Sequence, residues 1–301
     1  MKLSEAEQLL RNGLNGIYSE GEVDAVARLA IEHVTGWASV ERMGRKSETL
    51  SARAVEDLQS IMARLKQHEP IQYIINKSWF YGMELYVDRN VLVPRPETEE
   101  LVDWIVKTIR ASGKDVFSRA ATDSDETTTL KILDVGTGSG CIALALKKTM
   151  PRAEVWGCDI SDEALNVARR NGSALDIRVD FQAVNFLDEG QQKQLPTVDL
   201  IVSNPPYVPQ RDKATMDPNV VNYEPHSALF VPDEDALKFY RALIRFSSHR
   251  LYPAGSIFAE IHESLGFKVV NLFGEAGFEV ELRKDMQGKD RMVHAVRKKP
   301  S

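Results

Sequence analysis

Hydrophobic residues change their spacing twice along this chain. Over residues 1–70 they fall on helical stripes. In 22–36, Val23, Val26, Ala27, Ala30, Ile31 and Val34 share one face, and Gly36 ends the run. In 51–68, Ala54, Leu58, Ile61, Met62 and Leu65 repeat the pattern, with Pro70 just beyond. A shorter helix is expected from Ser4 to about Asn12. Between Tyr73 and Val93 the texture turns aromatic and β-branched, which predicts a hairpin or linked strands with bends at Tyr81-Gly82 and Asp88-Arg89-Asn90. Pro94-Arg95-Pro96 stops it. Glu97, Glu99 and Glu100 then open a helix to about Arg110, where acids suit the positive end of the helix dipole. The stretch 111–129 is small and polar and reads as a surface insertion.

From Leu130 onward strands and helices alternate. Strands are expected at 131–135, 153–159, 177–184, 198–204, 255–261, 278–283 and 291–297, with helices at 139–149, 161–171, 233–249 and 263–275. Such alternation predicts an α/β fold, with a mostly parallel sheet covered on both faces. Residues 284–290 are too short for a helical crossover, so the last strand should run antiparallel. Three parts result: a helical bundle at 1–72, a hairpin linker at 73–96 and the α/β domain at 97–301.

Composition narrows the chemistry. With 301 residues the chain has room for about two domains. Its formal charge of −6 argues against coating nucleic acid or an anionic membrane. Residues 1–70 carry no basic stripe either. Two cysteines, Cys141 and Cys158, exclude a disulfide scaffold and a cysteine-rich zinc module, and read as packing residues. His262-Glu263 lacks the second His of a zinc-protease motif, and no metal site is expected. His226 reads as structural. The first twenty residues lack the apolar core of a leader, and no run approaches the roughly 18 apolar residues of a span. A cytoplasmic location is expected.

Two motifs follow expected strands. Asp134-Val-Gly136-Thr137-Gly138-Ser139-Gly140 leads into a helix, and glycines there allow tight turns and close ligand approach. A dinucleotide fingerprint would put its third glycine on Cys141, which does not fit. Asp134 offers a carboxylate where a pyrophosphate would be repelled and a cationic amino group welcomed. Asp159, at the next strand end, can accept ribose hydroxyls or cap the helix starting near Ser161. At the third strand end, Phe186 could stack on adenine while Asn185 bonds its edge; the alternative is a core Phe.

The second motif is Asn204-Pro205-Pro206-Tyr207 after the fourth strand. The prolines fix a rigid, extended turn whose carbonyls stay free to accept hydrogen bonds. Asn204 Oδ1 and the Pro205 carbonyl can take both N–H bonds of a planar NH₂ group, with Tyr207 packed on its plane. Asn204 and Tyr207 are the candidate catalytic residues.

These two motifs resemble those of amino-methyltransferases acting on planar NH₂ groups. Glu69-Pro-Ile-Gln-Tyr-Ile74, Val91-Leu-Val-Pro-Arg-Pro-Glu-Thr-Glu99, Tyr223-Glu-Pro-His-Ser-Ala-Leu229 and Asp285-Met-Gln-Gly-Lys-Asp-Arg291 together resemble the HemK/PrmC family of release-factor glutamine methyltransferases. The resemblance implies a seven-stranded Rossmann-like methyltransferase sheet and S-adenosylmethionine as cofactor. It implies a substrate: the Gln of the Gly-Gly-Gln motif in peptide chain release factors. The helical segment would dock that protein. The cofactor site would comprise Asp134, Gly136, Thr137, Gly138, Ser139, Gly140, Asp159, Asn185, Phe186 and Asn204. Substrate would meet Asn204, Pro205, Pro206, Tyr207, Arg95 and Glu97, with Pro94–Thr98 walling the pocket. Asn185 departs from the family, where an acidic residue is common. A monomer without direct nucleic-acid or membrane contact is expected. The competing readings are a ribosomal-protein glutamine methylase, an adenine-N6 nucleic-acid methyltransferase and an idle binding module that docks release factors.

Overall fold

The computed structural model describes residues 1–111 and 129–298. The expected insertion at 111–129 therefore lies almost entirely outside the described residues. Contacts divide the chain into two units, one of Met1–Lys77 with Met216–Tyr223 and one of Ser78–Thr215 with Glu224–Ser301. The residues expected to link them thus split, and those from Ser78 onward belong to the larger unit.

The smaller unit holds α1 (Leu3–Leu14), α2 (Glu20–Thr35), α3 (Ser39–Gly44), α4 (Ala52–Leu65) and α5 (Ile71–Ile75). The stripes read from sequence enter its core, where Ala30, Ile31, Leu58 and Leu65 are almost wholly buried, and Leu10 and Leu14 of α1 join them. Ser51 caps α4 by accepting from the Ala54 N–H, and α2 ends on Gly36 in the left-handed conformation. Tyr73–Ile75, expected to be extended, are instead helical. Their apolar side chains are buried in α5, which Pro70 precedes and Asn76 ends at φ 52°. Burial outweighs their strand propensity.

In the larger unit, β1 (Ser78–Phe80) and β2 (Met83–Leu85) pair antiparallel across Tyr81 and Gly82. Both turn residues have positive φ, as a two-residue hairpin requires. α6 (Pro96–Ala111) follows, and then the alternating elements. They are β3 (Lys131–Val135), α7 (Cys141–Thr149), β4 (Glu154–Asp159), α8 (Asp162–Ala174), β5 (Asp180–Ala183), α9 (Glu189–Gln192) and β6 (Val198–Ser203). Short pieces β7 (Val208–Pro209) and β8 (Phe230–Val231) flank α10 (Pro218–Tyr223), which folds with the smaller unit, and α11 (His226–Leu229). α12 (Lys238–Arg250), β9 (Leu251–Glu260), α13 (Gly266–Glu275), β10 (Phe278–Lys284) and β11 (Asp290–Arg297) complete it.

The main sheet has seven strands in the order β10-β11-β9-β6-β3-β4-β5. β5, β4, β3, β6 and β9 are parallel, while β11 pairs antiparallel with both β9 and β10. Two of the last three strands thus form the expected hairpin. Apolar clusters cover both faces, one including Trp104, Leu144 and Phe258, the other Phe186, Tyr240 and Phe246. Boundaries move for local reasons. α7 starts at Cys141 because Gly136, Gly138 and Gly140 all have positive φ, which extends the turn. α12 starts at Lys238, after a separate 3₁₀ turn at Asp233–Asp235. Parallel order reverses between β3 and β6, and in such sheets ligands bind beyond the strand ends at that point.

Candidate functional site

A cavity of about 320 Å³ lies beyond the carboxyl ends of β3, β4 and β6. The glycine turn forms one wall. Gly136 and Thr137 both donate their N–H to the Cys158 carbonyl (2.8 and 3.0 Å), which ties the turn to the end of β4. The glycines do two different jobs. A Cβ on Gly138 (φ 53°) would meet nothing within 4 Å, so that position leaves the cavity open and the main chain bare. A Cβ on Gly140 would lie 3.1 Å from both Ala168 and Phe181, so that glycine permits close packing of α7.

Asp134 stands behind the turn and does not line the cavity. It is fully buried, and its Oδ2 accepts from Thr137 Oγ1 (2.6 Å) and the Ala143 N–H (3.2 Å). It braces the turn against the start of α7. Burial pushes its carboxyl up to about 7, against the hydrogen bonds from Thr137 and Ala143. Oδ1 is buried without a hydrogen-bond partner among the described residues.

Asp159 does face the cavity. Its Oδ2 accepts from the Gly138 N–H (2.9 Å) and its Oδ1 from the Ser161 N–H (3.0 Å). A carboxylate has about four lone-pair sites, so these bonds still leave acceptor capacity for a ribose hydroxyl. The capping alternative falls to Ser161, whose Oγ accepts from the Ala164 N–H. Desolvation raises the Asp159 carboxyl, opposed by the N–H groups of Ser161, Gly138 and Ile160. Ser139 and Thr137 also line the cavity, and the Ser139 carbonyl is held by Asn171 Nδ2 (2.9 Å).

Phe186 reaches the cavity from the core, with its ring 5.2 Å from that of Phe246. Asn185 lines it too, but its Oδ1 already accepts from the Leu187 N–H at 3.1 Å. Its Nδ2 is what remains to offer a ligand.

The other wall is built by Asn204, Pro205 and Pro206, with Pro94, Arg95 and Thr98 also lining the cavity. Ser203 Oγ donates to the Val135 carbonyl (2.8 Å) and fixes the strand end from which the motif leaves. Asn204 Nδ2 donates to Thr98 Oγ1 (3.1 Å), so Oδ1 is the free end of that amide. The Pro205 carbonyl accepts no hydrogen bond among the described residues. Arg95 is held by buried Glu224 (2.6 Å). Glu97 does not line the cavity, and Gln287 Nε2 lies 3.4 Å from its Oε1. Tyr207 is likewise absent from the lining; its hydroxyl donates to Glu260 Oε1 (2.9 Å). Both cysteines are free thiols, and burial pushes the Cys141 thiol up to about 12. Among the described residues no group of three or more His, Cys, Asp or Glu could hold a metal ion. No helix among them is long and apolar enough to cross a membrane.

Residues 3–75 match the family described as PrmC N-terminal domain, and residues 114–222 match Methyltransferase small domain. A release factor glutamine methyltransferase of Bacteroides thetaiotaomicron is 39% identical over 96% of this chain and 98% of its own. One from Flavobacterium psychrophilum is 37% identical over 93% and 94%. The chain belongs to the release factor glutamine methyltransferase family. A solved methyltransferase from Pyrococcus furiosus, at 19% identity and a TM-score of 0.50, covers 79% of this chain and 98% of its own, and shares the fold.

S-adenosylmethionine is the methyl donor of this family. The cavity residues fit it: two open glycines, a carboxylate with spare lone pairs and an apolar flank of Phe186, Ile142 and Ala228. What the motifs did not reveal is the support behind the methyltransferase's second wall. Glu260 is buried in β9 and meets Thr98, Tyr207 and, through its backbone carbonyl, Tyr240. A single carboxylate inside the apolar run Ile257-Phe-Ala-Glu-Ile261 was the available signal.

Proposed function

We propose that this chain moves the methyl group of S-adenosylmethionine to the side-chain amide nitrogen of the Gln in the Gly-Gly-Gln motif of peptide chain release factors. One observation carries this: two unused carbonyl oxygens, Asn204 Oδ1 and Pro205 O, stand in the same cavity as a glycine turn open to a nucleoside. Bound cofactor supplies an electrophilic methyl group on a sulfonium. An amide nitrogen is a weak nucleophile because its lone pair is delocalised. Asn204 and Pro205 accept its two N–H bonds, which raises electron density on nitrogen and fixes its direction of approach. A methylated amide cation is acidic enough to lose its proton to water, so no side-chain base is needed.

In this reading Gly136–Gly140 and Asp159 hold the nucleoside, with Phe186 and Asn185 toward the base. Arg95, fixed by Glu224, shapes the acceptor side. Residues 1–72 dock the release factor. A working monomer goes with this reading, and the substrate class points to the cytoplasm. The test is incubation of the purified protein with labelled S-adenosylmethionine and release factor, the same factor with Gln→Ala in Gly-Gly-Gln, or duplex DNA. Label on the unmodified factor alone is expected. Label on the Gln→Ala factor or on DNA would overturn the reading.

A further inference from the structure

We propose that Glu260 acts as a positioning residue for methyl transfer, by fixing through Thr98 which end of the Asn204 amide faces the substrate. The inference rests on the reading that Asn204 accepts the substrate amide.

Asn204, Thr98 and Glu260 form a chain of hydrogen bonds. Asn204 Nδ2 lies 3.1 Å from Thr98 Oγ1, and Thr98 Oγ1 lies 2.8 Å from Glu260 Oε2. Thr98 and Glu260 are each 2% exposed, so water does not compete for either. The two ends of an Asn amide have nearly the same shape and opposite hydrogen-bonding character. Turned over, Asn204 would present NH₂ to a substrate NH₂, and two donors would face each other. Thr98 alone does not prevent this, because a hydroxyl can donate to Oδ1 as readily as accept from Nδ2.

Glu260 removes the choice. An ionised carboxylate only accepts. It takes the single Thr98 proton on Oε2 and the Tyr207 proton on Oε1. Thr98 Oγ1 is then left with lone pairs only, Nδ2 must point to it, and Oδ1 must face the cavity. The same carboxylate anchors Tyr207, so both ends of the Asn-Pro-Pro-Tyr turn are tied to one buried charge.

The groups facing that charge set its pH response. From α6 come Thr98 and the like charge of Glu97. After β6 comes Tyr207, from α7 the Cys141 thiol, from α12 the Tyr240 hydroxyl on the Glu260 backbone carbonyl, and from β11 Arg291, itself bonded to Asp285. Desolvation raises the Glu260 carboxyl, opposed by Thr98, Tyr207 and Arg291. Acidification therefore protonates it at a higher pH than an exposed Glu. It then gains a proton to donate, and the polarity of the chain is no longer dictated.

The experiment measures kcat and KM for release factor, cofactor Kd by calorimetry and melting temperature for wild type, Glu260→Gln, Thr98→Val, Thr98→Ser and the Glu260→Gln/Thr98→Val double variant. Wild-type methylation of the factor is the control: its absence overturns the functional reading and is seen before any variant is compared. Given it, Glu260→Gln and Thr98→Val should each lower kcat roughly 10–100-fold, with cofactor Kd within about twofold of wild type. Thr98→Ser, which keeps the hydroxyl, should restore kcat. The double variant should fall less than the product of the singles, since both break one chain. The acid limb of the wild-type pH–kcat profile should vanish in Glu260→Gln. Should Glu260→Gln fail to fold, Thr98→Val and Thr98→Ser carry the same test. Retained kcat in either Glu260→Gln or Thr98→Val, or kcat losses that track lost cofactor affinity, would overturn the proposal.

Discussion

The two walls of the cavity reach their ligands by different means. Gly136, Gly138 and Asp159 come from one β3-turn-α7-β4 unit, and their geometry follows from main-chain conformation: positive φ at the glycines, two N–H groups on the Cys158 carbonyl and one on Asp159. Asn204 is oriented by side chains from distant parts of the chain, with Thr98 on α6 and Glu260 on β9. A wall built from backbone tolerates many side chains around it and few changes at its glycines. A wall built from a side-chain relay can be disarmed from a residue that never meets the substrate. Division of this kind suits a reaction that must bind one invariant cofactor and orient one amide.

Three substitutions probe that division, from the largest effect to the smallest. Asn204→Ala should lower kcat by roughly 100-fold or more while leaving the cofactor Kd within about twofold, read by calorimetry beside turnover. A collapse of cofactor affinity would merge the two walls into one. Asp159→Ala should do the reverse. The cofactor Kd should rise roughly 10–100-fold, the scale of charge-assisted hydrogen bonding to a ribose, with turnover at saturating cofactor nearly unchanged. An unaltered Kd would leave Asp159 only its contacts with Gly138 and Ser161.

The third concerns the brace behind the glycine turn. Burial raises the Asp134 carboxyl from 3.8 to about 7. A carboxyl raised by folding contributes its full stability below its unfolded value and loses it as pH rises through the folded one. Between about pH 4 and about 7 the unfolded chain ionises while the folded Asp134 carboxyl holds its proton, so the fold loses stability steadily across that window. Asp134→Asn keeps an acceptor for Thr137 and Ala143 without that charge. Its melting temperature should sit at or below wild type near pH 4 and several degrees above it at pH 8. A difference independent of pH in thermal denaturation would show that Asp134 does not titrate in this range.

The same division explains what was legible in the sequence. The sheet, its antiparallel end and the glycine turn were readable because each rests on local periodicity or on a backbone conformation that few residues adopt. The open Pro205 carbonyl was readable, since two prolines after a strand lack the N–H groups of a ladder. Tyr207 was read as a face for the substrate, but its hydroxyl is committed to Glu260 and the residue does not line the cavity. Glu97 was assigned to substrate, whereas its neighbour Thr98 holds Asn204. Neither outcome could follow from spacing. Thr98 and Glu260 stand 162 positions apart, and only the packing of α6 on the sheet brings them together. Tyr73–Ile75 show the same limit at the level of secondary structure, since burial in a helical unit decided their conformation.

The contact division has a consequence of another kind. Residues 216–223 fold with the helices that precede Lys77, although chain of the larger unit flanks them on both sides. Tyr223 even donates its hydroxyl proton to the Gln67 carbonyl (2.8 Å). The smaller unit is therefore discontinuous in the gene, and the polypeptide passes between units three times. No single recombination breakpoint separates them cleanly. A graft that replaced residues 1–77 alone would inherit a foreign α10, so the two segments have to be exchanged together, as one folding piece written in two places.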